Sequence, residues 1–201
     1  MKGAVKSLTA DRYLQPMRQQ VVDLIKPNST VVDLGCGSGD VLFKLSDKIE
    51  RGVGIDNSKT LIDFATVRQQ KEKRDNLQFI EADLCGEVVL PMSDYAIASL
   101  LYHVVDREEA TALLKKQVNK AKTTIICGFS KPNNWKQSLL LWLDQKFTSH
   151  YQNFRAYKQN GYMEALLQSL DATDCQVLDT FDPVIKIYVI EKHIMKNEAP
   201  K

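Results

Sequence analysis

Short apolar runs alternate with amphipathic segments along most of the chain. The apolar runs carry hydrophobic side chains at consecutive positions, and they fall at residues 30–34, 52–55, 77–80, 95–100 and 123–128. The segments between them repeat their apolar positions every three or four residues, at 40–48, 59–74 and 107–121. Strands that are apolar on both faces and separated by helices are typical of a parallel sheet with helices on both sides.

The two ends of the chain extend this pattern. Residues 11–25 have helical spacing and predict a first helix, which Pro27 stops. After the fifth apolar run, residues 134–154 predict one long helix rich in aromatic side chains, and residues 161–170 predict a shorter one. The last two apolar runs, 175–180 and 184–191, are joined by a tight Phe-Asp-Pro turn, which predicts an antiparallel pair.

These elements together predict an α/β fold. Five strand–helix units and a closing hairpin give a three-layer sandwich, with a mostly parallel seven-stranded sheet, a C-terminal antiparallel hairpin and helices on both faces. A length of 201 residues suits a single domain, so residues 1–201 are predicted to form one unit. The polar tail at 192–201 is expected to fray.

Composition narrows the class of protein further. With 44% hydrophobic and 26% charged residues the sequence is that of a globular protein. Lys+Arg 27 against Asp+Glu 25 gives a net charge of +2 with no dense basic block, which disfavours a nucleic-acid partner. The four scattered cysteines fit neither a zinc site nor a disulfide framework. No signal peptide or apolar stretch long enough to span a membrane is found, so a cytoplasmic location is expected.

The most informative stretch is VVDLGCGSGD at residues 31–40, where a buried strand ends in three glycines spaced by one residue. Glycine suits such a turn because the backbone needs unusual dihedral angles and must approach a ligand without a Cβ. A dinucleotide loop has the spacing Gly-x-Gly-x-x-Gly, whereas here the third glycine comes one residue early and Asp40 takes its place. Asp33 and Asp40 would repel a pyrophosphate but tolerate an amine and a sulfonium. The loop therefore favours a nucleoside ligand, and a mere tight connection is the alternative.

Two further carboxylates follow the next two predicted strands. Asp56 ends the second strand, where a carboxylate can accept hydrogen bonds from vicinal ribose hydroxyls. Asp83 follows the third strand and can accept a hydrogen bond from an adenine amino group, while Leu84 packs beside the ring. Either aspartate alone is common after a strand as a turn former or a helix cap. Acidic residues at three successive strand ends favour a nucleoside site, because ligands bind across those ends in such sheets.

The motifs VVDLGCGSGD, GIDNSKTLIDFA, FIEADL and DYAIASLLYHVVD resemble, in this order, those of the class I S-adenosylmethionine-dependent methyltransferases, over roughly residues 30–131. The resemblance implies methyl transfer, with S-adenosylmethionine as cofactor and S-adenosylhomocysteine as product. It also implies a role for each matching position. The methionine part would be held by Asp33, Gly35, Gly37 and Gly39, with Cys36 of the same loop also at the cofactor. The ribose would be bound by Asp56, and the adenine would be flanked by Asn57 and Leu61 and read by Asp83 with Leu84. The methyl group would lie by Ser99 and Leu100, with Tyr13 closing over the cofactor.

The end of the fourth predicted strand would lie beside the methyl group. Methyl transfer from a sulfonium needs mainly alignment and, for some acceptors, a base. His103 is the candidate catalytic base, because a neutral imidazole takes up a proton near pH 7. The alternative is that His103 only packs and caps the loop that follows. Metal-dependent methylation would need clustered carboxylates at this edge, and Asp106 alone is thin support for them, so no metal is predicted.

Acceptor recognition is expected from the first helix and from residues 131–162, called the lid segment below. The lid segment follows the fifth predicted strand and would overhang the methyl donor. Its aromatic and leucine side chains predict a small, apolar or amphiphilic acceptor, although part of any aromatic stripe at helical spacing is core. His150, Tyr151, Arg155 and Lys158 are candidates for a polar anchor.

Four functions are compatible with these features. The leading one is a small-molecule methyltransferase, and the second is a methyltransferase that acts on tRNA or protein. Relatives that methylate amines of flipped bases carry a Pro-Pro-Tyr type motif after strand four, whereas this sequence has Ser99-Leu100-Leu101-Tyr102, which disfavours that reaction. A non-catalytic cofactor-binding subunit is the third, and an NAD-dependent oxidoreductase, disfavoured by the glycine spacing, is the fourth. The oligomeric state, monomer or dimer, stays open.

Overall fold

A computed structural model of the chain describes residues 12–170 and 174–192. Asp11, at the start of the predicted first helix, and residues 193–201 of the predicted tail lie outside these ranges. The described elements follow one another in the order α1 (Gln15–Leu24), β1 (Thr30–Leu34), α2 (Asp40–Leu45), β2 (Arg51–Asp56), α3 (Lys59–Glu72), β3 (Leu77–Glu81), β4 (Ser93–Ser99), α4 (Arg107–Lys120), β5 (Ala121–Phe129), α5 (Trp135–Gln145), α6 (Tyr151–Gln159), α7 (Tyr162–Leu167), β6 (Cys175–Asp179) and β7 (Ile185–Glu191).

The strands form one seven-stranded sheet in the order β3-β2-β1-β4-β5-β7-β6. Strands β1 to β5 pair in parallel, and β7 pairs antiparallel with both β5 and β6. The predicted α/β fold with a closing hairpin is therefore confirmed. The ends of β1 to β5 meet at one side of the sheet, called the carboxyl edge below. The β6–β7 turn lies at the same edge, because Ile185 at the start of β7 pairs with Phe129 at the end of β5.

The core lies on both faces of the central strands. Strand β1 is buried at four of its five positions, as expected for a strand covered by helices on both sides. Helix α1 contributes Met17, Val21 and Val22, and Ile25 follows at its end. The helical spacing seen in the sequence thus marks the face of α1 that packs against the sheet.

The prediction of one long helix over residues 134–154 was wrong. Helix α5 ends at Gln145, and α6 begins at Tyr151. The Thr148 hydroxyl donates to the Gln145 carbonyl oxygen at 2.8 Å and takes up an acceptor at the end of α5. Side chains of this type compete with the backbone ladder and favour a helix end, which explains the break.

The chain also departs from the expectation of five strand–helix units. Strand β3 leads into β4 through residues 82–92, which form a turn and an extended loop instead of a helix. The Asp83 carboxylate accepts from the Cys85 backbone N–H at 3.0 Å, and the Asp83 carbonyl oxygen accepts from Gly86 at 3.2 Å. This local turn diverts the backbone immediately after β3. Among the described helices, none has the length and apolar character needed to cross a bilayer.

Candidate functional site

The glycine loop between β1 and α2 depends on three residues with left-handed backbone. Gly35, Gly37 and Gly39 have φ values of +69°, +54° and +78°. The Gly35 N–H donates to the Ile55 carbonyl oxygen at 2.8 Å, which fixes the start of the loop to the end of β2. A Cβ on Gly39 would lie 2.5 Å from the Phe79 ring, so that position has no room for a side chain. A Cβ on Gly37 would meet only Leu61 Cδ1, at 3.9 Å, so its open side faces space outside the protein core.

Asp56 joins the glycine loop to the start of α3. One carboxylate oxygen accepts from the Gly37 backbone N–H at 2.9 Å, and the other accepts from the Ser58 backbone N–H at 2.8 Å. Each carboxylate oxygen has a second acceptor position. The side chain is therefore held in place and can still accept hydrogen bonds from a diol.

A cavity of about 270 Å³ opens at the carboxyl edge between the ends of β1 to β4. Seven of the residues assigned to the cofactor by resemblance line it. They are Gly35, Asp56, Asn57, Asp83, Leu84, Ser99 and Leu100. The Oδ1 atom of Asp83 accepts a hydrogen bond from the Cys85 backbone N–H. The Asp83 side chain is exposed, so it is accessible to a ligand.

The other assigned residues lie around the loop or away from it. Cys36, Gly37 and Gly39 belong to the loop itself, and Leu61 stands across from Gly37. Asp33 is buried in β1, directly before the loop. None of these five is among the residues that line the described cavity. The structure therefore brings the loop and the acidic side chains to one edge, with the cavity on one side of them.

Tyr13, which the resemblance would place over the cofactor, contacts the β6–β7 turn instead. Its hydroxyl donates to the Asp182 carboxylate at 2.8 Å, and its ring packs edge-on against Phe181 at 4.9 Å between centroids. Both partners lie in the β6–β7 turn. In this arrangement Tyr13 fastens the N-terminal segment to that turn and is not among the cavity-lining residues. Its predicted closure over the cofactor stays a prediction.

Two aspartates near the loop differ in electrostatic surroundings. Burial raises the pKa of Asp33 to about 7, although Arg18 opposes the shift and Asp56 adds to it. Asp40 instead forms ion pairs with Arg18 at 2.9 Å and Arg68 at 3.0 Å. These two guanidinium groups offset the negative charge of Asp40, which was predicted to repel a pyrophosphate. The acidic character of the cavity comes from Asp56 and Asp83.

Leu100 has a backbone conformation that is rare for its residue type. Its φ is +53°, and its N–H donates to the Cys127 carbonyl oxygen at 2.8 Å. A left-handed leucine costs about 1–2 kcal/mol, and such strain is concentrated at functional sites. The strained residue lies where β4 ends and the cavity begins, at the predicted floor of the site.

His103 lies under the lid segment and outside the set of cavity-lining residues. Its side chain is 6% exposed, and its ring is 4.8 Å from the Phe129 ring and 5.3 Å from the His150 ring. Phe154 and Tyr157 complete the aromatic surroundings. Burial, and to a lesser degree His150, lowers the pKa of His103 to about 3. The imidazole is therefore neutral near pH 7, as a base must be, but the enclosure favours the packing alternative, and the base role stays a prediction.

The lid segment is fastened to the carboxyl edge through α6. The Asn153 side-chain amide donates to the Val104 carbonyl oxygen at 2.7 Å, and the Tyr157 hydroxyl donates to the Phe129 carbonyl oxygen at 2.7 Å. The Trp142 indole N–H donates to the Tyr151 hydroxyl at 3.0 Å and links α5 to α6. Helix α6 is thus the inner helix of the lid segment, and α5 lies outside it.

Four residues of the cavity lining escaped the sequence assignment: Cys85, Leu101, Val104 and Val105. The last three belong to the motif after the fourth strand and lie on either side of His103. The apolar residues on either side of His103 were the signal available there. Their presence makes the β4 side of the cavity apolar. Over the two described ranges, no group of three or more His, Cys, Asp or Glu side chains is arranged to hold a metal ion.

Comparison with known proteins gives a consistent family. A family model described as a methyltransferase domain matches residues 25–174. The chain is 30% identical over 116 residues to 2-phytyl-1,4-beta-naphthoquinone methyltransferase, chloroplastic, of Arabidopsis thaliana. This match covers 54% of this chain and 44% of that protein. The chain is also 35% identical over 63 residues to 23S rRNA (uracil(1939)-C(5))-methyltransferase of Psychromonas ingrahamii. This second match covers 31% of this chain and 14% of that protein. The matches thus span half the length of these curated relatives or less.

Solved structures share the fold at low identity. Magnesium protoporphyrin IX methyltransferase from Synechocystis PCC 6803, with bound S-adenosylhomocysteine, has a TM-score of 0.59 at 19% identity over 94% of this chain and 82% of that one. The methyltransferase domain of bacterial CtHen1 has a TM-score of 0.66 at 19% identity, over 89% and 98% of the two chains. At these identities the likeness concerns the fold alone.

Proposed function

Because the chain belongs to the class I S-adenosylmethionine-dependent methyltransferases, we propose that it transfers a methyl group from this cofactor to a small, apolar or amphiphilic acceptor. Residues 1–201 would act as one domain, with the lid segment (131–162) over the acceptor. One observation carries the proposal: a single cavity at the carboxyl edge is acidic on the β2–β3 side and apolar on the β4 side.

The acidic side of the cavity fits the cofactor. Gly37 leaves open space where a Cβ would otherwise stand, so a ligand can approach the backbone. Asp56 offers acceptors for a ribose diol, and Asp83 offers one for the adenine amino group, with Leu84 beside the ring. Asp33 would face the cationic methionine part from inside β1. When bound, the cofactor supplies an activated methyl group on a sulfonium.

The apolar side fits an acceptor with little polarity. Leu100, Leu101, Val104 and Val105 line the cavity there. The lid segment is fastened to this wall by the hydrogen bond from Asn153 to the Val104 carbonyl oxygen. An apolar wall excludes water from the reacting atoms and orients the acceptor by shape. The name of the Arabidopsis relative specifies a phytyl naphthoquinone, an amphiphile of the kind this wall suits.

Methyl transfer asks little of the protein beyond alignment. The strained Leu100 would fix the floor of the site, so that acceptor and methyl group meet in line. An acceptor that ionises before binding, or carries a free lone pair, needs no base. If a base is needed, the neutral His103 is the predicted one, and reaching the acceptor would require the lid segment to move.

A macromolecular acceptor is the second candidate function. The similarity to the rRNA methyltransferase, 35% identity over 63 residues, favours it. The near-neutral charge of the chain weighs against it, since nucleic-acid affinity comes largely from basic side chains on phosphates. A non-catalytic subunit would bind the cofactor and transfer nothing.

Transfer of a radiolabelled methyl group tests the proposal. The chain and labelled S-adenosylmethionine are incubated with a cell extract separated into lipid-soluble, small polar, RNA and protein fractions. Label in the lipid-soluble fraction is expected, and label in RNA or protein would replace the proposal by the second candidate. Cofactor binding with no transfer to any fraction would indicate a non-catalytic subunit.

A further inference from the structure

Helix α5 has its apolar side chains on the side away from the protein. Trp135, Leu139, Leu140 and Leu143 are 70%, 44%, 67% and 46% exposed, and Phe147, just after the helix, is 76% exposed. At 100° per residue the four helical positions fall on one face, and this face together with the neighbouring Phe147 is called the outward face below. The inward face holds Leu141 and the polar Gln145, both buried. A surface helix normally shows the reverse arrangement, so the outward face is suited to contact something apolar.

Cations accompany these side chains. Lys136 and Lys146 are exposed on the outward face, and the Lys146 ammonium lies 4.3 Å from the Trp142 ring centroid and 5.4 Å from that of Phe147. Residues 131–158 contain five Lys or Arg and one Asp, whereas the rest of the chain contains 22 basic and 24 acidic residues. The excess of positive over negative charge thus lies in the segment that contains α5 and α6.

We propose that the outward face of α5 docks on an anionic lipid bilayer and lies in its interface. Apolar and tryptophan side chains enter the acyl boundary, while nearby lysines contact the headgroups. A second copy of the chain fits less well, because a two-fold interface would bring the lysines of both copies together. Helix α5 joins α6 above the apolar side of the cavity, so an amphiphilic acceptor would enter from the membrane. The inference rests on the proposed function for the nature of this acceptor.

Vesicle co-sedimentation of the full chain tests the docking. Wild-type protein is expected to sediment with phosphatidylcholine vesicles that contain about one-third phosphatidylglycerol, and less with pure phosphatidylcholine. The triple variant Leu140→Glu, Leu143→Glu, Phe147→Glu should bind the anionic vesicles at least about tenfold more weakly. Lys136→Gln with Lys146→Gln should remove the preference for anionic vesicles.

A matched control separates docking from a general loss of exposed apolar surface. Val67→Glu, Val89→Glu and Met92→Glu alter three residues that are 64%, 80% and 68% exposed on other parts of the molecule, and vesicle binding should stay at the wild-type level. Two results overturn the proposal: wild-type protein that stays in the supernatant, or the triple variant of the outward face (called the lid variant) sedimenting like wild type. So does a dimer, seen by light scattering, that the lid variant dissociates without any vesicle binding. Binding of S-adenosylhomocysteine, measured on every variant, reports separately on fold and cofactor site.

Discussion

The two halves of the carboxyl edge bury a titratable group in opposite ways. In the β1–β3 half, Asp33 is enclosed beside the glycine loop, and burial raises its pKa to about 7. In the β4–lid half, His103 is enclosed by aromatic rings, and burial lowers its pKa to about 3. The first half places the charges of Arg18 and Asp56 near its carboxylate. The second half surrounds its imidazole with the aromatic rings of Phe129, Phe154 and Tyr157.

This difference separates two tasks. A polar half with fixed acceptors can hold a charged nucleoside in one orientation, because each donor of the ligand meets a specific oxygen. An apolar half recognises shape and excludes water but specifies few atoms. The polar half is therefore the one whose residues can be assigned individually.

The largest effect is expected at the polar half. Gly37→Val should weaken S-adenosylhomocysteine binding by at least about a hundredfold, because the branched side chain fills the approach to the backbone and resists φ +54°. Since no protein atom lies closer than 3.9 Å to the new Cβ, most of the fold should persist. Calorimetric titration and a thermal melt measure the two quantities.

Gly39→Val is the matched comparison for that variant. Its Cβ would lie 2.5 Å from the Phe79 ring, so the expected loss is in stability, by about 2–3 kcal/mol. Near-normal ligand binding by a folded Gly37→Val sample would show that the loop is only a connection.

The next effect concerns the apolar half. His103→Ala removes a ring that contacts Phe129 and His150 and should cost about 2–4 kcal/mol of unfolding free energy, by analogy with aromatic truncations. If the ring only packs, the methyl-transfer rate per folded molecule stays within about threefold of wild type. If His103 is a base, the rate falls about 10²-fold with little change in cofactor affinity. Single-turnover transfer and denaturant unfolding separate the two roles.

A smaller effect on ligand affinity is expected from Asp56→Ala in the polar half. The variant should bind S-adenosylhomocysteine about 1.5–3 kcal/mol more weakly, the scale of hydrogen bonds to a charged group. Asp63→Ala, on the exposed side of α3, removes a carboxylate paired only locally with Lys59 and should leave affinity unchanged. Unchanged affinity in Asp56→Ala would show that this side chain does not hold the ribose.

The smallest effect is expected in the pH dependence of stability, which differs between the two halves. The raised pKa of Asp33 makes its contribution to stability fall as pH rises from about 4 to 7, since the folded state retains the proton longer. The lowered pKa of His103 makes its contribution fall as pH drops below about 6.5, since the unfolded state takes up the proton first. Relative to wild type, acidification from pH 6.5 to 5 should destabilise Asp33→Asn and stabilise His103→Phe, each by about 2 kcal/mol. Equal pH slopes in all three proteins would contradict the opposite burial of the two groups.

The polar half was largely predictable from the sequence, for a physical reason. A glycine with φ near +60° and a carboxylate at a strand end are demanded by local geometry, and the order of such residues marks the strand ends of a parallel sheet. Asp56 and Asp83, predicted at successive strand ends, line the cavity, and their cofactor contacts stay predictions. Strand β1 has the predicted bounds.

The apolar half could not be predicted in the same way, because packing decides it. The sequence gives no sign that His103 turns beneath α6 and away from the cavity, since a histidine suits either place. The break after Gln145 depends on Thr148 closing the helix end, and helical spacing continues across it. The exposure of Leu140 and Phe147 depends on which face of α5 meets the protein, and periodicity alone leaves that choice open.

Calorimetric titration of the wild-type chain with S-adenosylhomocysteine and, separately, with NAD tests the central assignment most directly. The acidic half of the cavity predicts one-to-one binding of S-adenosylhomocysteine that Asp56→Ala weakens, and no measurable heat with NAD. Binding of NAD, or the absence of binding by S-adenosylhomocysteine to a folded sample, would contradict the assignment of this edge as a methyl-donor site.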